Sequence, residues 1–254
     1  MSLLFLLAAS TVASAKSDFV GNEFEPLSLP RLDGTMAVIK PDQNKLTVIN
    51  FFASWCAYCA VEMPDFNDYY LQHSDQVAMY LIDMWEKPEA ANDFLYKNDY
   101  QIPAFVDNTG RELKNRFQIK GVPMTFIIDK KGIIRFQSNG MMPQGRLAAE
   151  IEKCREQSMD VSINDIIGKS WRFGWMDGSI IANSIQLLPD GKIAGYYHPN
   201  ESKWALVNGM VVFYNENGVP SCRFYVVQKR NKNLVMSGKL LIADSDDTQV
   251  LEEL

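Results

Sequence analysis

Two cysteines three positions apart, Cys56 and Cys59, are the residues best equipped for chemistry in this chain. They stand in Trp55-Cys56-Ala57-Tyr58-Cys59, after the apolar run Val48-Ile49-Asn50-Phe51-Phe52-Ala53 and ahead of a helix-like stretch. At such a strand-to-helix junction, unpaired N–H groups and the positive end of the helix dipole stabilise a thiolate on the first sulfur. The second sulfur lies one turn on, in reach to attack a mixed disulfide and release the product. Cys56 is therefore the expected nucleophile and Cys59 the more buried, resolving thiol. Trp55 offers an apolar rim to an incoming protein disulfide. Two other readings compete. Zinc uses the same spacing but needs two further ligands, and the chain has no second C-x-x-C and only His73 and His198. Two buried cysteines can also pack as small hydrophobes. The context favours redox exchange, which calls for no metal and no cofactor.

Glu62 follows Cys59 by three residues, so the two side chains share a helix face. A semi-buried carboxylate there can accept the Cys59 proton as that thiol attacks. The competing reading is a solvated helix glutamate.

These residues need a frame. Leu46 to Ala53 reads as a strand and Ala57 to about Gln72 as a helix, with a kink expected at Pro64. Val77 to Asp83 is a compact apolar strand, and Glu89 to Asn98 a helix. Phe105-Val106-Asp107 leads into a turn and a helix over Arg111 to Phe117. Met124 to Ile128 and Gly132 to Gln137 form a strand pair around Asp129-Lys130-Lys131-Gly132, and Gln144 to Arg155 is a closing helix. Gly34 to Lys45 reads as turns and polar loop. The order is that of a mixed central sheet with helices on both faces.

Leu46 to Phe66, reading LTVINFFASWCAYCAVEMPDF, resembles the active-site region of the thioredoxin superfamily, closest to its TlpA-like (ResA-like) extracytoplasmic branch. Gly121-Val122-Pro123-Met124-Thr125-Phe126-Ile127-Ile128-Asp129 resembles that family's second signature. The resemblance runs from Asp18 to about Arg155. It implies a thioredoxin-like α/β fold, a redox-active Cys56–Cys59 disulfide, and a cis-proline at Pro123 facing the dithiol. Val122 would then present its backbone to a client strand, while Trp55, Val122 and Pro123 line the client site. A glutamate at the place of Glu62 tunes the dithiol in that branch. One departure stands out: thioredoxin's buried aspartate in the preceding strand is matched here by Asn50, which takes no proton, so that task falls to Glu62 or water.

The 254 residues allow two ordinary domains, and 47% hydrophobic with 22% charged residues is a globular composition. A formal charge of −6 with scattered Lys and Arg argues against nucleic acid as a partner. Residues 1–15 read as a signal peptide: Leu3 to Ala9 is a short apolar core and Ala13-Ser14-Ala15 suits cleavage after Ala15. An exported, periplasmic or otherwise extracytoplasmic protein is expected. The domain limits that follow are 18–157 for the thioredoxin-like part and 161–254 for the rest.

The second part changes grammar. Trp171 to Trp175, Ile180 to Leu188, Lys192 to Tyr197, Trp204 to Tyr214, Ser221 to Lys229 and Leu234 to Ile242 read as strands, with Trp204 to Tyr214 split at Asn208-Gly209. This predicts a small all-β antiparallel domain, a meander of six or seven strands in an open barrel or sandwich. The acidic end, Asp244, Asp246, Asp247, Glu252 and Glu253, reads as a solvated tail. An oxidising compartment would allow Cys154 and Cys222 to bridge the two domains, but separate, partly buried thiols are the expectation. Tyr196-Tyr197-His198-Pro199-Asn200-Glu201 is the densest polar-aromatic cluster, read first as a hairpin loop and second as a sugar or peptide platform.

The functional expectation is an exported thiol-disulfide oxidoreductase that reduces client disulfides. The family resemblance implies a membrane thiol electron donor and clients such as apocytochromes c. The sequence leaves open a disulfide oxidase or isomerase, and a glycan- or protein-binding module in the β domain with the α/β part as scaffold. A peroxiredoxin is disfavoured, because Ser54 and Trp55 replace that family's threonine-centred peroxide pocket.

Overall fold

The computed structural model describes residues 19–157, 161–242 and 247–254; the signal-peptide segment 1–15 lies outside them. Its first part is organised by β3 (Leu46–Phe52), every residue of which is buried. A strand covered on both faces must be apolar throughout, which explains the uninterrupted run. β3 pairs in parallel with β4 (Val77–Met84) and antiparallel with β6 (Met124–Ile128). β5 (Ala104–Asp107) and β7 (Ile134–Asn139) complete a five-stranded mixed sheet in the order β5-β4-β3-β6-β7.

Side-chain alternation along β3 builds two cores. Val48 and Phe52 pack with Phe66 of α1 (Ala57–His73), Leu95 of α2 (Pro88–Lys97) and Ile151 of α4 (Arg146–Glu156). Ile49 and Phe51 pack on the other face with Leu113 of α3 (Arg111–Arg116), Phe117 and Phe126. That second face is closed by a hairpin missed in the sequence, β1 (Leu27–Pro30) with β2 (Met36–Ile39). Part of the expected loop over Gly34 to Lys45 is therefore strand. α1 is a single helix that contains Pro64.

The second part opens with a short 3-10 turn, Ile163–Asp165, capped reciprocally by Ser162 and Asp165. Eight antiparallel strands follow: β8 (Trp171–Trp175), β9 (Ile180–Leu187), β10 (Ile193–Ala194), β11 (Lys203–Val207), β12 (Met210–Tyr214), β13 (Pro220–Arg230), β14 (Asn233–Leu240) and β15 (Thr248–Glu253). Consecutive strands pair from β8 to β10 and from β11 to β15, and β15 pairs back onto β8. The remaining seam between β10 and β11 is drawn together by a bridge between Lys192 and Lys203 and by Trp204 N–H donating to Gly191 O at 2.8 Å. The sheet thus closes into a barrel, where the sequence suggested six or seven strands with open edges.

Closure also corrects the reading of the acidic end. Glu252 and Glu253 lie in β15 and pair with Arg172 and Lys169, at 3.2 and 2.8 Å. Gln249 and Leu251 of the same strand are buried. Asp244 and Asp246 lie outside the described residues. The barrel interior is filled by Trp171, Phe173, Phe213, Phe224 and Met236, the packing expected where eight strands leave room for side chains and little else.

The barrel docks on the β6–β7 turn. Arg135 of β7 is buried and sits 3.2 Å from Asp129 Oδ2; it donates to the Tyr225 carbonyl, and to the Gln157 carbonyl at 2.8 Å. Its guanidinium also lies over the Tyr225 ring. Ile133, Met210 and Tyr225 form a small apolar contact around it.

Candidate active site

β3 ends at Phe52, and the chain then turns through Ala53, whose carbonyl accepts the Cys56 N–H at 3.1 Å. α1 begins at the next residue, with Cys56 as its N-cap in extended conformation. Cys56 Sγ accepts the Cys59 N–H at 3.1 Å. The sulfur therefore occupies the position where a helix start donates hydrogen bonds and positive potential, which favours a thiolate whenever the pair is reduced. In the structure Cys56 and Cys59 form a disulfide with a Cα–Cα distance of 5.3 Å. Cys56 retains 6% exposure and Cys59 none, so an attacking reagent meets Cys56 first.

The second signature lies opposite. The Val122–Pro123 peptide is cis, and Val122 O is 3.5 Å from Cys56 Sγ. β6 begins at the next residue, Met124, which is paired with Phe51 of β3. Adjacent strands therefore deliver both motifs to one end of the sheet. Trp55 is 62% exposed and its ring stacks on Trp85, centroids 6.5 Å apart. Tyr58 and Val61, also exposed, extend the apolar rim along α1.

Glu62 is 2% exposed, which removes the reading of a solvated glutamate. Its Oε1 accepts Asn50 Nδ2–H at 2.9 Å and its Oε2 accepts the Met142 N–H at 2.8 Å. Burial pushes its carboxyl up to about 7, against the opposite pull of those two hydrogen bonds. Asn50 also donates to Thr125 Oγ1 at 3.0 Å, so the position that lacks a titratable acid instead orients one.

Sequence reasoning did not find Met142, Thr125 or the pair Ser54 and Glu86. Glu86 Oε1 accepts the Ser54 N–H at 2.5 Å, and Ser54 Oγ–H donates to Oε2 at 2.6 Å. These partners come from separate elements, and no local spacing announces them. Cys154 and Cys222 form no disulfide and are buried rather than partly so. Burial pushes the Cys154 thiol up to about 12 and Cys222 well above its ordinary range. Neither is placed to act as a nucleophile.

In the Tyr196–Glu201 cluster, Glu201 is buried. It lies 2.8 Å from His198 Nδ1 and accepts Gln249 Nε2–H at 3.2 Å. That is a loop pinned to the barrel by its own carboxylate. Among the described residues, no group of three or more His, Cys, Asp or Glu is disposed to hold a metal ion. No described helix is long and apolar enough to cross a membrane.

A helix-capping dithiol beside a proline-led strand, on a five-stranded mixed sheet, defines the thioredoxin-like class. Comparison with known sequences agrees. Residues 20–137 match the model of the AhpC/TSA family. Sporulation thiol-disulfide oxidoreductase A of Bacillus subtilis is 30% identical over 111 residues, 42% of this chain and 67% of that protein. Thiol-disulfide oxidoreductase ResA of Bacillus thuringiensis is 26% identical over 135 residues, 53% of this chain and 78% of that protein. The crystal structure of StoA from Bacillus subtilis aligns over 49% of this chain and 95% of its own, at 26% identity and a TM-score of 0.43. The chain belongs to the thioredoxin-like thiol-disulfide oxidoreductases, whose reaction takes disulfide-containing proteins as clients. The barrel lies beyond residues 20–137, the span of the family match.

Proposed function

We propose that the protein is an extracytoplasmic reductase of protein disulfides, with Cys56 as nucleophile, Cys59 as resolving thiol and Glu62 as the base that serves Cys59. The observation that carries this reading is the asymmetry of the pair: Cys56 Sγ at the helix start with a sliver of exposure, Cys59 sealed one turn deeper. The Cys56 thiolate attacks one sulfur of a client disulfide, and the other client sulfur leaves as a thiolate and takes a proton. Cys59 then gives its proton to Glu62 and attacks Cys56 Sγ, releasing the second client thiol. Two electrons pass to the client, and the enzyme is left as the Cys56–Cys59 disulfide.

Trp55, Val122 and Pro123 are assigned to the client site, Trp55 by its exposed ring and Val122 by a carbonyl beside the attacking sulfur. The oxidised enzyme would be recycled by a membrane thiol donor, and apocytochromes c are the client class suggested by resemblance. Export is supported by the apolar run Leu3 to Ala9 with Ala13-Ser14-Ala15 behind it.

The test is reduction of insulin disulfides by wild type, Cys56→Ser and Cys59→Ser. Loss of turnover in both variants, with mixed disulfides accumulating at Cys56 only in Cys59→Ser, is the expected result. Turnover in Cys56→Ser equal to wild type would overturn the reading. A redox titration of the pair then fixes direction: a midpoint as oxidising as that of a disulfide-forming catalyst would make the protein an oxidase.

A further inference from the structure

The nucleophile's approach loop, Ala53 to Trp55, is held from outside the motif by a two-residue brace. Glu86 receives both donors of Ser54, its backbone N–H at 2.5 Å and its hydroxyl at 2.6 Å. Trp85, the residue before it, carries the ring on which Trp55 stacks. Trp85 itself adopts φ of 65°, and the Trp85 indole occupies the space where a side chain on Gly110 would stand, 2.0 Å from that added carbon. A non-glycine residue in the left-handed region is uncommon and persists where its surroundings hold it. The segment after β4 is thus fixed on one side by Gly110 and grips the Cys56 approach on the other.

Nothing in the exchange reaction uses Glu86, yet only Trp55 separates Ser54 from Cys56. The turn that follows Ala53 is closed by the Cys56 N–H, and the same residue's sulfur must stay on the Cys59 N–H. We infer that Glu86 is a positioning residue for the nucleophile: by fixing Ser54 at two points it holds Cys56 Sγ on the helix start, where the thiolate is stabilised. Asp83, fully buried at the end of β4, fits this arrangement. Its carboxyl is pushed up to about 9, by burial first and then by Glu86 beside it. Near neutral pH it is a neutral acid and adds no second negative charge behind the loop.

This inference rests on Cys56 being the attacking thiol. Its test is therefore iodoacetamide alkylation of the reduced full chain between pH 5 and 10, read by mass spectrometry at each cysteine. Glu86→Ala should raise the pH midpoint of Cys56 alkylation by about half a unit or more, the scale of a lost helix-start contact. It should also slow insulin reduction in kcat rather than KM. Glu86→Gln, whose amide can accept the Ser54 N–H and donate to Ser54 Oγ, should restore the midpoint. Ser54→Ala, which deletes one of the two contacts and leaves the acid in place, should fall between Glu86→Ala and wild type and serves if Glu86→Ala does not fold. A Cys56 midpoint unchanged in Glu86→Ala and Ser54→Ala overturns the brace alone. A wild type in which Cys59 is alkylated before Cys56 overturns both the brace and the nucleophile assignment.

Discussion

Asn50 Nδ2 donates to Glu62 Oε1 at 2.9 Å, and this contact orients the buried acid without supplying a charge to offset its burial. Glu62 sits with two donors and no cation among the hydrogen-bond partners of its two oxygens. Burial therefore dominates, and the carboxyl holds its proton up to about pH 7 instead of the ordinary 4.5.

Stability should fall with rising pH on this account. Below pH 4.5 the carboxyl is protonated in both folded and unfolded chains. Between about 4.5 and about 7 the unfolded chain releases the proton and the folded one keeps it, so stability is lost across that window. The span corresponds to roughly 3 kcal/mol. Glu62→Gln should abolish it, since Asn50 Oδ1 has no hydrogen-bond partner among the described residues and a flipped Asn50 amide can receive the new donor. Urea unfolding of both proteins at pH 5 and pH 8 checks this; parallel pH profiles would contradict it.

The same variant bears on turnover. With Glu62 as the proposed base for Cys59, its removal should slow resolution of the mixed disulfide by about a hundredfold, while the initial attack by Cys56 keeps its rate. Stopped-flow mixing of reduced enzyme with a fluorescent peptide disulfide separates the two phases. Equal slowing of both phases would place Glu62 elsewhere in the cycle.

Trp55→Ala should discriminate by client size. Its ring is exposed and supported by Trp85, the arrangement of a preformed apolar contact. KM for a protein disulfide should rise by about tenfold, the worth of one aromatic contact. Reduction of hydroxyethyl disulfide, too small to reach the ring, should be unaffected. A matching change in both substrates would assign Trp55 to loop structure instead.

Legibility in the sequence followed the range of the interactions. Cys56 and Cys59 were readable because strand, turn and helix start are local, and the strand run around Asn50 is buried on both faces; Pro123 was readable only through the resemblance of its segment to the family's second signature. Glu62 was readable by helical spacing, but its burial was not, because that depends on Met142, eighty residues away. Ser54 and Glu86 had no periodic signal at all. In the barrel, turn chemistry located the β11–β12 split at Asn208-Gly209, and φ is positive at both residues. The pairing of β15 with β8 joins residues near the two ends of the domain, and the charges of Glu252 and Glu253 concealed a strand whose alternate residues, Gln249 and Leu251, face inward.

Arg135→Ala should cost about 3–5 kcal/mol, the usual penalty for stripping one partner from a buried ion pair. Asp129 would keep the Lys131 and Ile133 N–H contacts, while the Tyr225 and Gln157 carbonyls would each lose the Arg135 donor. Denaturation followed by tryptophan fluorescence and by far-UV circular dichroism should then resolve two transitions where wild type should give one. A single transition in the variant would show that the apolar contact around Ile133 suffices.

Gly238→Ala tests barrel closure. A methyl group there would lie 1.8 Å from the Arg223 carbonyl oxygen and 2.6 Å from the Phe224 Cα, at the irregular register of β13 and β14. Both neighbours are backbone and cannot step aside. The loss should exceed about 4 kcal/mol, seen as collapse of barrel tryptophan fluorescence with disulfide reduction by the α/β part retained. A variant as stable as wild type would mean that the two strands separate at little cost.

β6 has Pro123 just before one tip and Asp129 just past the other, about 16 Å of strand between them. The barrel clasps the Asp129 tip. The barrel thus sits at the end of β6 remote from the sulfurs, and leaves the Trp55 and Tyr58 rings at the other end open to an arriving chain.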